Sequence, residues 1–109
     1  MRPRLIHRID IEHKTRVQDP VTLEITEGWV EYKSETAARV TFLSGKELMS
    51  AQAEHAEVVA RIQVNYDSGL NPKMRAKFRG AWYQFHAVLP DNETGLRWQT
   101  IMVKTGLQD

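Results

Sequence analysis

Val58-Val59-Ala60-Arg61-Ile62-Gln63-Val64-Asn65-Tyr66 places Val58, Ala60, Ile62, Val64 and Tyr66 on one face, with Arg61, Gln63 and Asn65 on the other. This is the longest clean alternation of period two in the chain. Such a period marks a β-strand with one face turned to a core. After a turn at residues 67–72 (DSGLNP), Met74, Ala76 and Phe78 continue the pattern. Arg79-Gly80 then divides two alternating runs so tightly that Gly80 is expected to supply the positive φ of a short hairpin. Tyr83, Phe85, Ala87 and Leu89 form the next strand, and Pro90 to Gly95 a longer hairpin loop. Leu96 to Lys104 is the last strand, its pattern shifting from Leu96 and Trp98 to Ile101 and Val103, which suggests a bulge.

In the other direction the rhythm breaks once. Ser44-Gly45-Lys46-Glu47 reads as a capping box, in which Ser44 caps a helix and Glu47 reaches back to it. Leu48, Met49, Gln52, Ala53 and Ala56 follow on one helical stripe, giving a helix from Gly45 to about His55. Further upstream, Thr36–Leu43 carries Ala38, Val40 and Phe42 on one face, and Glu27–Ser34 carries Trp29, Val30 and Tyr32. The first strand holds Leu5, His7, Ile9 and Ile11 on one face. Between them, Thr15–Thr26 alternates only weakly through Val21, Leu23 and Ile25 and reads as a protruding loop or ribbon. The sum is a mainly β chain: a small antiparallel β-barrel of about six to seven strands, closed to hide its edges, with one short α-helix.

The chain has 109 residues, enough for a single domain over 1–109 and too few for a second core. Its 41% hydrophobic and 27% charged content is that of a globular chain. No apolar run approaches the roughly 20 residues of a transmembrane helix, so no membrane partner is expected. The first thirteen residues contain no continuous apolar segment and do not read as a secretory signal. Cysteine is absent, which excludes disulfides and thiolate metal sites. Fifteen basic against fourteen acidic side chains leave a net charge of +1. A protein living by phosphate contacts carries a larger basic excess, so any basic patch here is local.

Few residues invite a chemical reading. Lys73, Arg75, Lys77 and Arg79 alternate with Met74, Ala76 and Phe78, so if the apolar side chains face the core the cations face outward. They form either a solvated face that discourages edge pairing or a basic stripe toward DNA, and the near-neutral charge favours the first. Trp82 is expected on the same outer face, as an interface anchor, as a base-stacking platform, or covered by the helix or the ribbon. His7, His13, His55 and His86 show no metal-ligand spacing, and His7 is expected to hydrogen-bond within the fold. The serines lie in no nucleophile-elbow context and no Gly-rich phosphate loop is present. Neither an enzyme nor a cofactor or metal is expected.

Several pieces, taken in order, resemble one family. LIHRIDIEH (5–13) resembles an opening strand of the form hydrophobic-x-His-Arg-hydrophobic-x-Ile. An irregular loop then ends at Gly28-Trp29, and Leu43-Ser44-Gly45-Lys46-Glu47 matches an LSGxE step followed by alanines at Ala51 and Ala53. Ile62-Gln63-Val64-Asn65-Tyr66 is similar to an I-x-I-R-Y strand. Pro72-Lys73-Met74-Arg75, Arg79-Gly80 and Tyr83-Gln84-Phe85 match a closing pattern of M-R, a Gly hairpin and Y-x-I. From about Leu5 to Val103 the chain resembles the head–tail joining proteins of tailed bacteriophages, also called head-closure or stopper proteins. The resemblance implies a non-enzymatic component of the virion connector, made in the cytoplasm of the bacterial host. It implies a ring formed by self-association beneath the portal, closing the DNA-filled head and docking the tail. The implied partners are portal or adaptor ring proteins and tail proteins, with non-specific contact to packaged DNA. Arg16, Asp19, Pro20, Val21 and Leu23 would then belong to a loop that orders on assembly, the alternative being an ordinary β-ribbon packed through Val21, Leu23 and Ile25. The alternative is a small OB-like nucleic-acid-binding barrel, since such folds share this size and strand count.

Overall fold

The computed structural model describes residues 3–47, Met49 and 58–105. Six strands account for most of them: β1 (His7–Gln18), β2 (Ile25–Phe42), β3 (Val58–Asn65), β4 (Met74–Phe78), β5 (Ala81–Pro90) and β6 (Trp98–Thr105). Every neighbouring pair is antiparallel, and the sheet closes on itself in the order β1-β2-β3-β6-β5-β4. Closure leaves the barrel wall without a free edge, which removes the hazard of edge-to-edge pairing.

The alternation that announced β3 is its inner face. Val58, Ala60, Ile62 and Val64 are buried, whereas Tyr66, beyond the strand, is exposed. Around them pack Ile9, Ile11, Ala38, Val40, Met74, Ala76, Phe78, Phe85, Ile101 and Val103. Phe42, expected on the inner face, is half exposed at the end of β2. His7 sits at this core's margin, where its Nδ1 accepts a hydrogen bond from the Val40 amide at 3.0 Å and its ring meets Phe78 edge-on.

Two stretches expected as separate strands, Glu27–Ser34 and Thr36–Leu43, are one 18-residue strand, β2. The join is irregular: β2 carries extra residues against β1 between Ile9 and Ile11 and again between Ile11 and Glu12. Glu35 takes a φ of 52° there, and its amide donates to Asp10 Oδ1 at 3.0 Å. A bulge bends and twists a strand without ending it, so one long strand serves two directions. The bulge expected in β6 instead lies in its neighbours, in β5 between Phe85 and Ala87 and in β3 between Val58 and Ala60.

The ribbon is the other consequence of that length. β1 pairs with β4 only over Asp10–His13, and β2 with β3 only over Ala38–Phe42. Beyond these points residues 14–18 and 25–29 pair solely with each other. The molecule accordingly measures 51 × 27 × 23 Å, with a radius of gyration of 15.1 Å against about 13 Å for a compact chain of this length.

Arg79 and Gly80, with φ of 52° and 82°, form a two-residue turn between the paired Phe78 and Ala81. Two positive φ values match the right-handed twist of the strands they join. Residues 45–47 and Met49 are helical, and Ser44 directly precedes them. Glu47 Oε1 lies 3.4 Å from Arg61. The rest of the expected helix, to about His55, falls outside the described residues.

Candidate functional site

Arg75 does not lie in the solvated row expected of Lys73, Arg75, Lys77 and Arg79. It faces outward from β4, yet it is only 9% exposed. Its Nη2 and Nε meet Glu12 Oε1 at 2.7 and 3.0 Å, and Glu12 is its direct register partner on β1. Its guanidinium lies 3.8 Å from the centroid of Trp82 and 4.3 Å from that of Trp29. Nη1 is buried with no hydrogen-bond partner, and the two indole rings meet the charge instead. A cation held against aromatic faces gains about 0.5–1 kcal/mol when exposed and about 2 when desolvated, which offsets part of that missing bond.

The arrangement continues at both ends. Lys14 stands 5.6 Å above Trp29, its register partner, and Lys77 5.5 Å above Trp82, its own partner. Lys14, Trp29, Arg75, Trp82 and Lys77 thus form a ladder of alternating cations and indoles across β2, β1, β4 and β5. Trp82 is half-buried within it, covered by Arg75 and Lys77.

The ladder alters the reading of the basic stripe. Lys77 is exposed and lines a cleft with Asp10, Glu12, Glu31 and Glu35. Arg75 is consumed by Glu12 and the two rings. Lys73 and Arg79, one at each end of β4, are exposed like Lys77. The burial of Arg75 interrupts the row of four cations, and the Trp82 ring is engaged by Arg75 and Lys77.

The ribbon tip is the second feature. Asp19 Oδ1 accepts from the Val21 and Thr22 amides at 2.7 and 3.2 Å, and these bonds hold its carboxyl below the usual aspartate value. The Asp19 and Leu23 backbones close the turn, Leu23 with a φ of 62°. Val21 (87% exposed) and Leu23 (66%) face solvent together with Val17 and Ile25. Val21, Leu23 and Ile25 therefore do not pack the ribbon onto the barrel. Pro20 lies in the same exposed turn, and Arg16 is exposed on the ribbon's β1 side.

At the ribbon's base, the Tyr32 hydroxyl donates to Asp67 Oδ1 at 2.9 Å and Lys33 pairs with Asp67 Oδ2 at 2.6 Å. Burial raises the Asp67 pKa, but Lys33, the Gly69 amide and Tyr32 outweigh it and the net shift is downward. Among the described residues, no three His, Cys, Asp or Glu side chains gather as metal ligands would.

Trp29, Glu12 and Lys14 had not stood out as site residues. Their spacing along the chain carries no signal, because the ladder exists only once β1 lies between β2 and β4.

Residues 1–106 match the family model described as phage head completion protein. No curated protein matches the chain. Among solved structures, the chain is similar to protein SF1141 from Shigella flexneri 2a, with a TM-score of 0.76 and 25% identity over 97% of this chain and 96% of that one. It shares its fold with a chain in the virion of a native gene transfer agent particle, with a TM-score of 0.63 and 19% identity over 97% and 98%.

Proposed function

Because the chain belongs to the phage head completion protein family, we propose that it is the piece of the head–tail connector that closes the filled head and receives the tail. The observation that carries this reading is the family match over nearly the whole chain. Copies associate in a ring beneath the portal, contacting portal or adaptor proteins on one side and tail proteins on the other. The work is mechanical: the barrel supplies a rigid block and the ribbon supplies reach. The exposed apolar tip at Val21 and Leu23 is the part that buries surface on a neighbour, since such side chains gain about 25 cal/mol per Å² when covered. DNA is retained by the closed assembly.

Electron microscopy of a lysate from a phage or prophage lacking this gene tests the reading. Free tails beside tailless heads, many emptied of DNA, are expected. Intact infectious particles would overturn it.

A further inference from the structure

We propose that Arg75 is a positioning residue that sets the angle of the ribbon on the barrel wall, so that the arm is presented ready-made and does not fold on contact. The proposal rests on the reading of the ribbon as the assembly arm.

A two-stranded hairpin is marginal by itself. Residues 14–18 and 25–29 have no other strand beside them. The ribbon also leaves the barrel at the irregular stretch of β2 around Tyr32 and Glu35, where extra residues loosen the ladder of backbone bonds. An arm attached through such a joint swings unless side chains span it. Asp67 fastens Tyr32 and Lys33 at the joint itself. Arg75 reaches further out, to Trp29, which pairs with Lys14 in the first rung beyond the β1–β4 seam. At its root Arg75 is held by Glu12 on β1 and Trp82 on β5, both within the barrel wall. A planar guanidinium touching one indole from the wall and one from the ribbon resists rotation of either against the other. An arm fixed beforehand also spares the assembly the entropy of ordering it, and so strengthens docking without a new contact.

Amide hydrogen exchange on the full chain tests this, read separately for the ribbon (residues 14–18 and 25–29) and for β3 and β6. In Arg75→Met, ribbon exchange should quicken at least tenfold while β3 and β6 stay protected. Arg75→Lys keeps a cation between the rings and should recover part of the protection. Should Arg75→Met fail to fold, Trp29→Leu keeps the Arg75–Glu12 pair and should loosen the ribbon alike. Unchanged ribbon exchange in the folded variants overturns the proposal. So does equal loss of protection throughout, which would make Arg75 a residue of general stability. Complementation of a phage lacking the gene provides the second readout. If the gene proves dispensable for joining, the functional reading falls while the exchange result still decides the role of Arg75. If the gene is required but a loosened ribbon joins tails normally, the ready-made arm is refuted and the functional reading stands.

Discussion

Asp91 organises a whole loop from one side chain. Its carboxylate accepts from the amides of Glu93 at 2.9 Å, Thr94 at 2.6 Å and Arg97 at 2.9 Å, and so holds the β5–β6 connection closed. Burial would push its pKa up, but the amides of Thr94, Arg97, Gly95 and Glu93 prevail and hold it far below the ordinary value of 3.8. A depressed folded-state pKa stabilises the fold fully above the unfolded value, and the gain is lost as pH falls below it. Thermal melting of the wild type should therefore weaken progressively below about pH 4. Asp91→Asn should lower the melting temperature at pH 7 and flatten part of that acid limb, the remainder belonging to Asp19 and Asp67. Gly69 is constrained differently: a Cβ there would overlap the Tyr32 hydroxyl. Gly69→Ala should push the Tyr32 hydroxyl off Asp67 and cost about 1 kcal/mol in denaturant unfolding, the net worth of that hydrogen bond.

At the scale of elements, the barrel and the ribbon answer to different tests. The ribbon tip contributes nothing to the core, so Val21→Ser combined with Leu23→Ser should leave the unfolding free energy within about 0.5 kcal/mol of wild type. The same change should sharply reduce joined particles in complementation, the outcome that separates an assembly arm from inert decoration. The β4–β5 turn allows a gain. Arg79 holds a left-handed backbone that favours glycine or asparagine. Arg79→Asn creates the preferred Asn-Gly turn and should stabilise the chain by up to about 1 kcal/mol in urea unfolding, less the contact of Arg79 with Phe78.

At the scale of the molecule, one seam decides whether the sheet is closed. β1 and β4 share only four register pairs, with Ile11 opposite Ala76 in their midst. Ile11 is 1% exposed. Ile11→Ala should cost about 2–5 kcal/mol by the cavity it leaves. The opened seam would also expose two strand edges, so aggregation on heating should rise, whereas Ile6→Ala, at an exposed position, should change neither. Light scattering beside the melting curve distinguishes the two variants.

The strands and their inward faces were legible in the sequence because a period of two needs only neighbours two residues apart. Val58, Ala60, Ile62 and Val64, and likewise Met74, Ala76 and Phe78, could face the core in no other register. The protruding ribbon showed as the weakest alternation in the chain, for the physical reason that Val21, Leu23 and Ile25 have no core to meet. The position of Arg75 was different. Alternation settled that it leaves the outer side of β4, but its burial depends on Glu12, Trp29 and Trp82, at separations of 63, 46 and 7 residues along the chain. Pattern therefore determined which way each side chain points, and only the closing of the sheet decided what waits for it there, because contacts between distant strands are fixed by register and not by spacing.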